Sequence, residues 1–368
     1  MKQNRRSLAV LLLTGVMMLG LTAVAWFAPA KDYSESERRV LADFPLLNME
    51  TVLSGKFMKS FETYTQDQFP LRDGFRWLKA LSALYLFREK DNNDIYVSDG
   101  YVSKLEYPLK TPMLNHAADR FAYIMETYLA GTDVETYLSI VPDKNYFLAE
   151  ENGYPALDYN RLVSYMKENC TGMEYIDIFP LLSIEDYYRT DTHWRQEAIL
   201  PVAEQLAQAM GATLSADWRE ELADTPFNGV YVGQSALPLK PDALRYLMSE
   251  VLEQAKVQIY DDKGWRESTV YNMELAAGKD PYEMFLSGAE SLITVENPLA
   301  KTDKELILFR DSFGSSIAPL LLSGYAKITL VDIRYLPSNM LGELIEFNDQ
   351  DVLFLYSSLI LNASSGLR

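Results

Sequence analysis

The chain has little histidine and almost no cysteine: two residues of the first and one of the second among 368. With Cys170 alone, an internal disulfide and a metal site built on paired thiolates are both excluded. The residue is expected as a small buried filler. With His116 and His193 as the only imidazoles, zinc is nearly ruled out, since a His-Asp site would need more ligands, and a general base of that type has two places to be. Positive charge is also short. Lys and Arg number 34 against 52 Asp and Glu, a formal net charge of −18. The acids are scattered, so polyanions such as nucleic acid or teichoic acid are repelled at long range. A phosphate-binding glycine loop is missing as well, because "DSFGSS" at 311–316 lacks the lysine and the spacing of one.

Apolar residues make up 48% of the chain, enough for a substantial core. One run stands apart. Lys2, Arg5 and Arg6 precede an uncharged stretch from Leu8 to Ala28, 21 residues long. That exceeds the 7–15 of a cleavable signal core and approaches the roughly 20 that span a bilayer. Ala28-Pro29-Ala30 offers a small-x-small cleavage site, so residues 1–30 read as a signal peptide or a signal anchor. The basic flank stays in the cytoplasm, which places everything after residue 30 outside, anchored to the cell membrane or secreted if the segment is cut. Because no cysteine follows the run, a lipoprotein anchor is excluded.

Residues 31–130 read as a helical and hairpin region packing on the core. Up to about residue 75 it is polar and helical in character, "FRWLKALSALYLF" has the period of an amphipathic helix, and "DIYVSDGYVSKLE" is a hairpin about Asp99-Gly100. Residues 131–368 carry a β-α-β rhythm. "VETYLSIVP" is a strand, 158–168 a helix, "MEYIDIFP" a second buried strand, and "WRQEAILPVAEQLAQAMG" a helix kinked or restarted at Pro201 and stopped by Gly211. Residues from about 224 to 300 break the rhythm and read as an antiparallel insertion with a turn at Lys263-Gly264. The rhythm then returns with "ELILFRDSF", "KITLVDIRY" and "DVLFLYSS", separated by helices near 315–323 and 339–347. The fold expected is α/β, a parallel sheet flanked by helices with an antiparallel insertion. Its strands end at Phe309 or Arg310, at Asp332 to Arg334, and at Leu355 to Ser357, the edge where such sheets build sites.

His116 lies near a helix start with only Asp119 as a local carboxylate, and reads as a capping or surface residue. His193 differs. In "YYRTDTHWRQEA" Asp191 stands two residues before it, at what reads as a loop-to-helix junction, so the carboxylate can approach one ring nitrogen while the other faces a cleft. Capping of that helix by Thr190 or Asp191 explains part of the pattern equally well. In "LILFRDSFGSSIAPLLL" a strand delivers Ser312 to a tight turn containing Gly314, followed by a helix. The hydroxyl and its own N–H then sit at the carboxyl edge of the sheet and at a helix N-terminus, as an acyl-transfer nucleophile requires. Helix capping by Asp311, Ser312 and Ser315 is the plainer alternative for that stretch taken alone.

Together the pieces resemble something known. "SESERRVLADFP", "DQFPLRDGF", "VPDKN", "YYRTDTHW", "FNGVYVGQSA", "KDPYEMFLSG", "RDSFGSSIAPLLL", "ITLVDIRY" and "DVLFLYSS" resemble, in order and spacing, the DHHW family. That family is similar to the alginate O-acetylation proteins of the AlgJ and AlgX type, within the SGNH hydrolase superfamily. Thr192 stands where the family name has its first histidine. The Asp-His pair precedes the serine, the permuted order of the alginate proteins.

The resemblance implies Ser312 as nucleophile, His193 as base and then acid, and Asp191 as the residue orienting His193. Arg334 and Tyr356, spaced 22 residues apart as Ser312 and Arg334 are, are candidates for holding substrate or assisting the oxyanion. Their alternative is a surface ion pair and a packed aromatic. Trp194 belongs to the same motif, and Asn228 and Gly229 are candidates for a second oxyanion donor, since the usual glycine and asparagine blocks are not evident. The activity implied is O-acetyl transfer or acetyl ester hydrolysis on an envelope or exopolysaccharide, with no cofactor or metal. A membrane-bound O-acyltransferase (MBOAT) partner would pass the acyl group outward. The competing reading is a catalytically inactive carbohydrate-binding or scaffold protein of the same fold.

Overall fold

A computed structural model describes residues 2–132 and 134–368. The chain divides into two compact units, Met1–Asn93 with Val232–Pro238, and Asp94–Tyr231 with Leu239–Arg368.

The first unit begins with helix α1 (Lys2–Phe27), whose stretch Arg6–Phe27 is long and apolar enough to cross a membrane and fits a signal anchor or signal peptide. Two-residue strands, Tyr33–Ser34 and Arg39–Val40, then pair antiparallel. Sequence periodicity reads this stretch as helical, because the hairpin is fixed by charge rather than by an apolar pattern. Arg39 donates to the Asp67 carboxylate, and Ala42 donates its N–H to the same group. Helices α2 (Lys56–Asp67) and α3 (Arg72–Leu81) flank the "DQFPLRD" turn, and the chain after α3 continues as one wide turn, Ser82–Leu86.

The second unit opens with the expected hairpin, β1 (Ile95–Ser98) and β2 (Tyr101–Lys104). Asp99 and Gly100 both take positive φ, +51° and +81°, the conformation that suits a two-residue turn to twisted strands. Helix α4 (Thr111–Ile124) leads to strand β3 (Thr136–Val141), helix α5 (Tyr159–Asn169) and strand β4 (Glu174–Tyr175). β4 is two residues long at the sheet edge, shorter than the buried strand expected of "MEYIDIFP". Helix α6 (Leu200–Ala209) carries Pro201 in its first turn. The proline therefore starts the helix rather than kinking it, since its missing N–H falls where no intrahelical bond is due.

Next comes the insertion: β5 (Arg219–Phe227) paired antiparallel with β6 (Asp242–Met248), then β7 (Lys256–Asp261), β8 (Gly264–Ser268) and β9 (Leu292–Glu296). The last three do not stand apart; they extend the main sheet. Strand β10 (Glu305–Arg310), helix α7 (Phe313–Leu321), β11 (Lys327–Val331) and β12 (Asp351–Ser357) complete the unit.

The eight-stranded sheet runs β8-β7-β9-β11-β10-β12-β3-β4, parallel from β11 to β4 and antiparallel across β9, β7 and β8. β12 is buried along its whole length, the behaviour of a central strand covered on both faces. Its side chains alternate: Leu353 and Leu355 enter one core with α6 and α7, while Val352, Phe354 and Tyr356 enter the other with α4 and α5. The mixed α/β architecture is the one read from the sequence.

Candidate active site

The stretch 186–195 is not the start of a helix. Arg195 donates its N–H to the Asp186 carbonyl at 2.7 Å, Tyr187 and Trp194 bridge antiparallel, and the Tyr188 N–H reaches the His193 carbonyl at 3.1 Å. The result is a tight hairpin-like loop with Asp191 and His193 at its tip; a single 3₁₀ turn follows at Gln196–Ala198, and the α-helix only at Leu200. Four groups fix the tip. Asp242, at the start of β6, accepts from the Arg189 and Thr190 N–H groups and from the Thr190 hydroxyl. The buried Lys144 ammonium donates to the Tyr188 and Arg189 carbonyls at 3.0 and 3.2 Å. From the other side the Gly229 N–H donates to Thr190 Oγ1 at 3.0 Å and the Val230 N–H to Asp191 Oδ2 at 2.8 Å.

Ser312 arrives from the opposite direction. β10 ends at Arg310, and Ser312 is the residue before α7, with its side chain making no capping bond. Asp311 does the capping instead. Its Oδ1 accepts the Phe313 N–H, while its Oδ2 accepts the N–H and hydroxyl of Ser357 at the end of β12. One buried carboxylate thus ties two adjacent strand ends to the helix N-terminus. Gly314 lies in the first turn of α7 rather than in a separate tight turn. A Cβ there would come within 2.5 Å of Arg310 Cβ, so the helix and the preceding strand meet this closely only with glycine.

The loop and the strand end bring three side chains into line. His193 Nδ1 lies 2.6 Å from Asp191 Oδ1, and His193 Nε2 lies 2.7 Å from Ser312 Oγ. Burial pushes the Asp191 carboxyl up, but the His193 ring, its N–H and the Val230 N–H outweigh that and hold it well below the usual carboxylate range. An ionised Asp191 can only accept, so Nδ1 donates to it, which leaves Nε2 of a neutral ring as the acceptor for the Ser312 hydroxyl.

Tyr282 completes the arrangement and was not singled out in the sequence. Its ring lies on the His193 ring at 3.7 Å between centroids and 6° between planes, and its hydroxyl donates to Ser316 Oγ at 2.8 Å. It comes from the antiparallel insertion, where Asp280 caps the short turn Pro281–Met284. The "KDPYEMFLSG" stretch marks the segment, but nothing in it distinguishes a ring that stacks on an imidazole from one that packs in the core.

The remaining sequence candidates fall elsewhere. Trp194 is fully buried and donates its indole N–H to Ser316 Oγ, fixing the loop to α7. Gly229 has its N–H committed to Thr190, and a Cβ on it would meet Thr190 and Asp191 backbone atoms at 2.4 Å. Its service to the site is close approach. Asn228 beside it is exposed. Arg334 is tied through Nε and Nη2 to Asp332, which also pairs with the fully buried Arg310. Tyr356 is fully buried, its ring tilted against Phe121 in the core beneath the sheet, and reaches no solvent-facing cleft. His116 lies half-buried in the second turn of α4. Cys170 is buried, and burial pushes its thiol up to about 12. Among the described residues no group of three or more His, Cys, Asp or Glu could hold a metal ion.

A serine at a strand-to-helix junction facing a histidine-aspartate loop, on a parallel sheet flanked by helices, defines an α/β fold of hydrolase-like build. No protein-family model and no curated protein matches the sequence. Solved structures with TM-scores above 0.5 share the fold. A DHHW family protein from Eubacterium siraeum aligns with a TM-score of 0.58 at 17% identity, over 75% of this chain and 95% of that one. Bacillus cereus PatB1, with a sulfonyl adduct, aligns at 0.55 and 18%, over 73% and 97%. The O-acetyltransferase domain of Pseudomonas putida AlgJ aligns more loosely, at 0.43 and 14%, over 73% and 92%.

Proposed function

We propose that the chain is an extracytoplasmic serine acyltransferase or esterase that moves acetyl groups on hydroxyls of an envelope or exopolysaccharide. The observation that carries this reading is His193 bridging Asp191 at 2.6 Å and Ser312 at 2.7 Å. The DHHW-like motifs favour the same chemistry, and the span at Arg6–Phe27 favours the location.

In the proposed reaction His193 Nε2 takes the Ser312 proton as Oγ attacks the ester carbonyl, and Asp191 stabilises the imidazolium without taking its proton. The Ser312 N–H, at the N-terminus of α7, supports the developing oxyanion. Collapse of that intermediate breaks the ester C–O bond. His193 returns the proton to the leaving oxygen and the acetyl group stays on Ser312. A sugar hydroxyl or water, deprotonated by His193, then attacks the acyl-enzyme and frees the serine. Arg334 acts in this scheme by bracing Asp332 beyond the end of β11, and Tyr356 by filling the core, rather than by touching substrate. A membrane-bound acyltransferase would supply the acetyl group from the cytoplasm.

Release of p-nitrophenol from p-nitrophenyl acetate, with and without an oligosaccharide acceptor, tests the reading. Ser312→Ala is expected to lose at least about 10³-fold in kcat/KM. Full activity in that variant would exclude Ser312 as nucleophile. Acetylated oligosaccharide among the products marks transfer, and free acetate alone marks hydrolysis.

A further inference from the structure

Helix α3 and the turn Ser82–Leu86 that continues it are built inside out. Arg72 and Arg76, one turn apart, face into the first unit. Both pair with Glu37, and Arg76 also donates to the carbonyls of Gly233 at 2.7 Å and Gln234 at 3.3 Å. Ala80 and Ala83 continue that inner face and are buried. The outer face is apolar and bare: Leu71 is 76% exposed, Phe75 42%, Leu78 53% and Leu86 72%, with Trp77 and Tyr85 exposed beside them. A helix on the surface of a water-soluble protein has the reverse polarity.

The charge of this segment is also reversed. With Arg72 and Arg76 turned inward onto Glu37, the exposed charges of residues 71–90 are three basic (Lys79, Arg88, Lys90) and two acidic (Asp73, Glu89), a balance of 3 − 2 = +1 within a chain of net −18. An apolar face with Trp, Tyr and Phe, bordered by Lys and Arg, is the composition of a helix lying in the interface of an anionic bilayer. The chain's connectivity points the same way. The apolar span ends at Phe27 and the first paired strand begins at Tyr33. The five residues between can extend no more than about 18 Å. With α1 uncut and in the bilayer, a first unit so tethered cannot leave the membrane surface.

We propose that the Leu71–Phe75–Leu78–Leu86 face docks into the headgroup and upper acyl region of an anionic lipid leaflet, as a second membrane contact beside α1. The proposal rests on the reading that α1 enters the bilayer, and Trp26, near the end of α1, reports on that reading separately.

The test uses the full chain in vesicles of phosphatidylcholine and phosphatidylglycerol, with and without bromine on the upper acyl carbons. The emission of each tryptophan is taken as the difference between wild type and Trp77→Tyr, or wild type and Trp26→Tyr. Docking predicts a blue-shifted Trp77 emission, quenched roughly twofold by brominated lipid. That quenching is lost in Phe75→Ser/Leu78→Ser while Trp26 stays quenched. Both substituted side chains point outward, and circular dichroism checks that the variant is folded. Quenching of Trp26 without Trp77 would leave the anchor standing and overturn the docking face, and so would the absence of quenching at both. Quenching of Trp77 without Trp26 would keep the docking face and remove the anchor. Protection of Trp77 only when a membrane protein is co-reconstituted would overturn lipid as the occupant.

Discussion

Gly229 decides how near residue 229 can come to the loop that carries Asp191. A methyl group at that position would meet three backbone atoms of Thr190 and Asp191 at 2.4 Å, so the loop tip or the 229–230 segment must move. Gly229→Ala is therefore expected to destabilise the fold by about 1–3 kcal/mol and to lower kcat/KM by more than that loss of folded protein explains, because the Val230 N–H to Asp191 bond moves with it. Urea midpoints and steady-state kinetics on the same preparation check both parts. Tyr282 makes a second residue-scale prediction. Tyr282→Phe keeps the stacked ring and loses only the hydroxyl bonds, so its activity should stay near wild type. Tyr282→Leu removes a stacking contact of about 1–1.5 kcal/mol, and kcat should fall roughly tenfold. Equal loss in both variants would show that the hydroxyl, not the ring face, holds His193. Of these residues the sequence marked Asp191, His193 and Ser312, because an Asp-x-His pair and a strand-serine-helix junction are local patterns. Tyr282 was illegible because its role depends on which ring the insertion brings it against.

The elements divide in the same way. Strands β10, β11 and β12 were legible from unbroken Leu, Ile, Val and Phe runs, which a strand buried on both faces requires. The loop at 186–195 was not, since Thr, Asp and His before an amphipathic stretch look the same whether they cap a helix or turn a hairpin. What decides between the two is tertiary: Asp242, Lys144 and residues 229–230 bond the loop from three separate elements. Lys144 gives this element a pH signature. Burial lowers its ammonium to about 7, against the pull of the Asp191, Asp242 and Asp143 carboxylates, whereas an unfolded lysine titrates near 10.4. Between about pH 7 and 10 the unfolded chain binds a proton that the native chain does not, so this residue makes stability rise with pH across that window. Below about pH 7 both forms are charged and the gain is absent. Lys144→Met should flatten the pH dependence of the urea midpoint between 7 and 10; an unchanged slope would mean that the ammonium stays charged in the fold.

At the scale of the whole molecule, an acidic chain with, among the described residues, one apolar span long enough to cross a membrane and one inside-out helix fits the proposed work at a membrane face. The long insertion that breaks the α/β rhythm also gains a purpose at this scale. Its strands β7, β8 and β9 widen the sheet, and its turn at 281–284 delivers the Tyr282 ring. Sequence rhythm shows where such an insertion lies, but not that it reaches back to the site.

The central claim is that Ser312 is an activated nucleophile, and covalent labelling with a sulfonyl fluoride, read by mass spectrometry of the intact chain and its peptides, tests it most directly. The geometry predicts one adduct, on Ser312, lost in Ser312→Ala and slowed at least about 10²-fold in His193→Ala. Labelling at another residue, or a rate at Ser312 unaffected by His193→Ala, would contradict it.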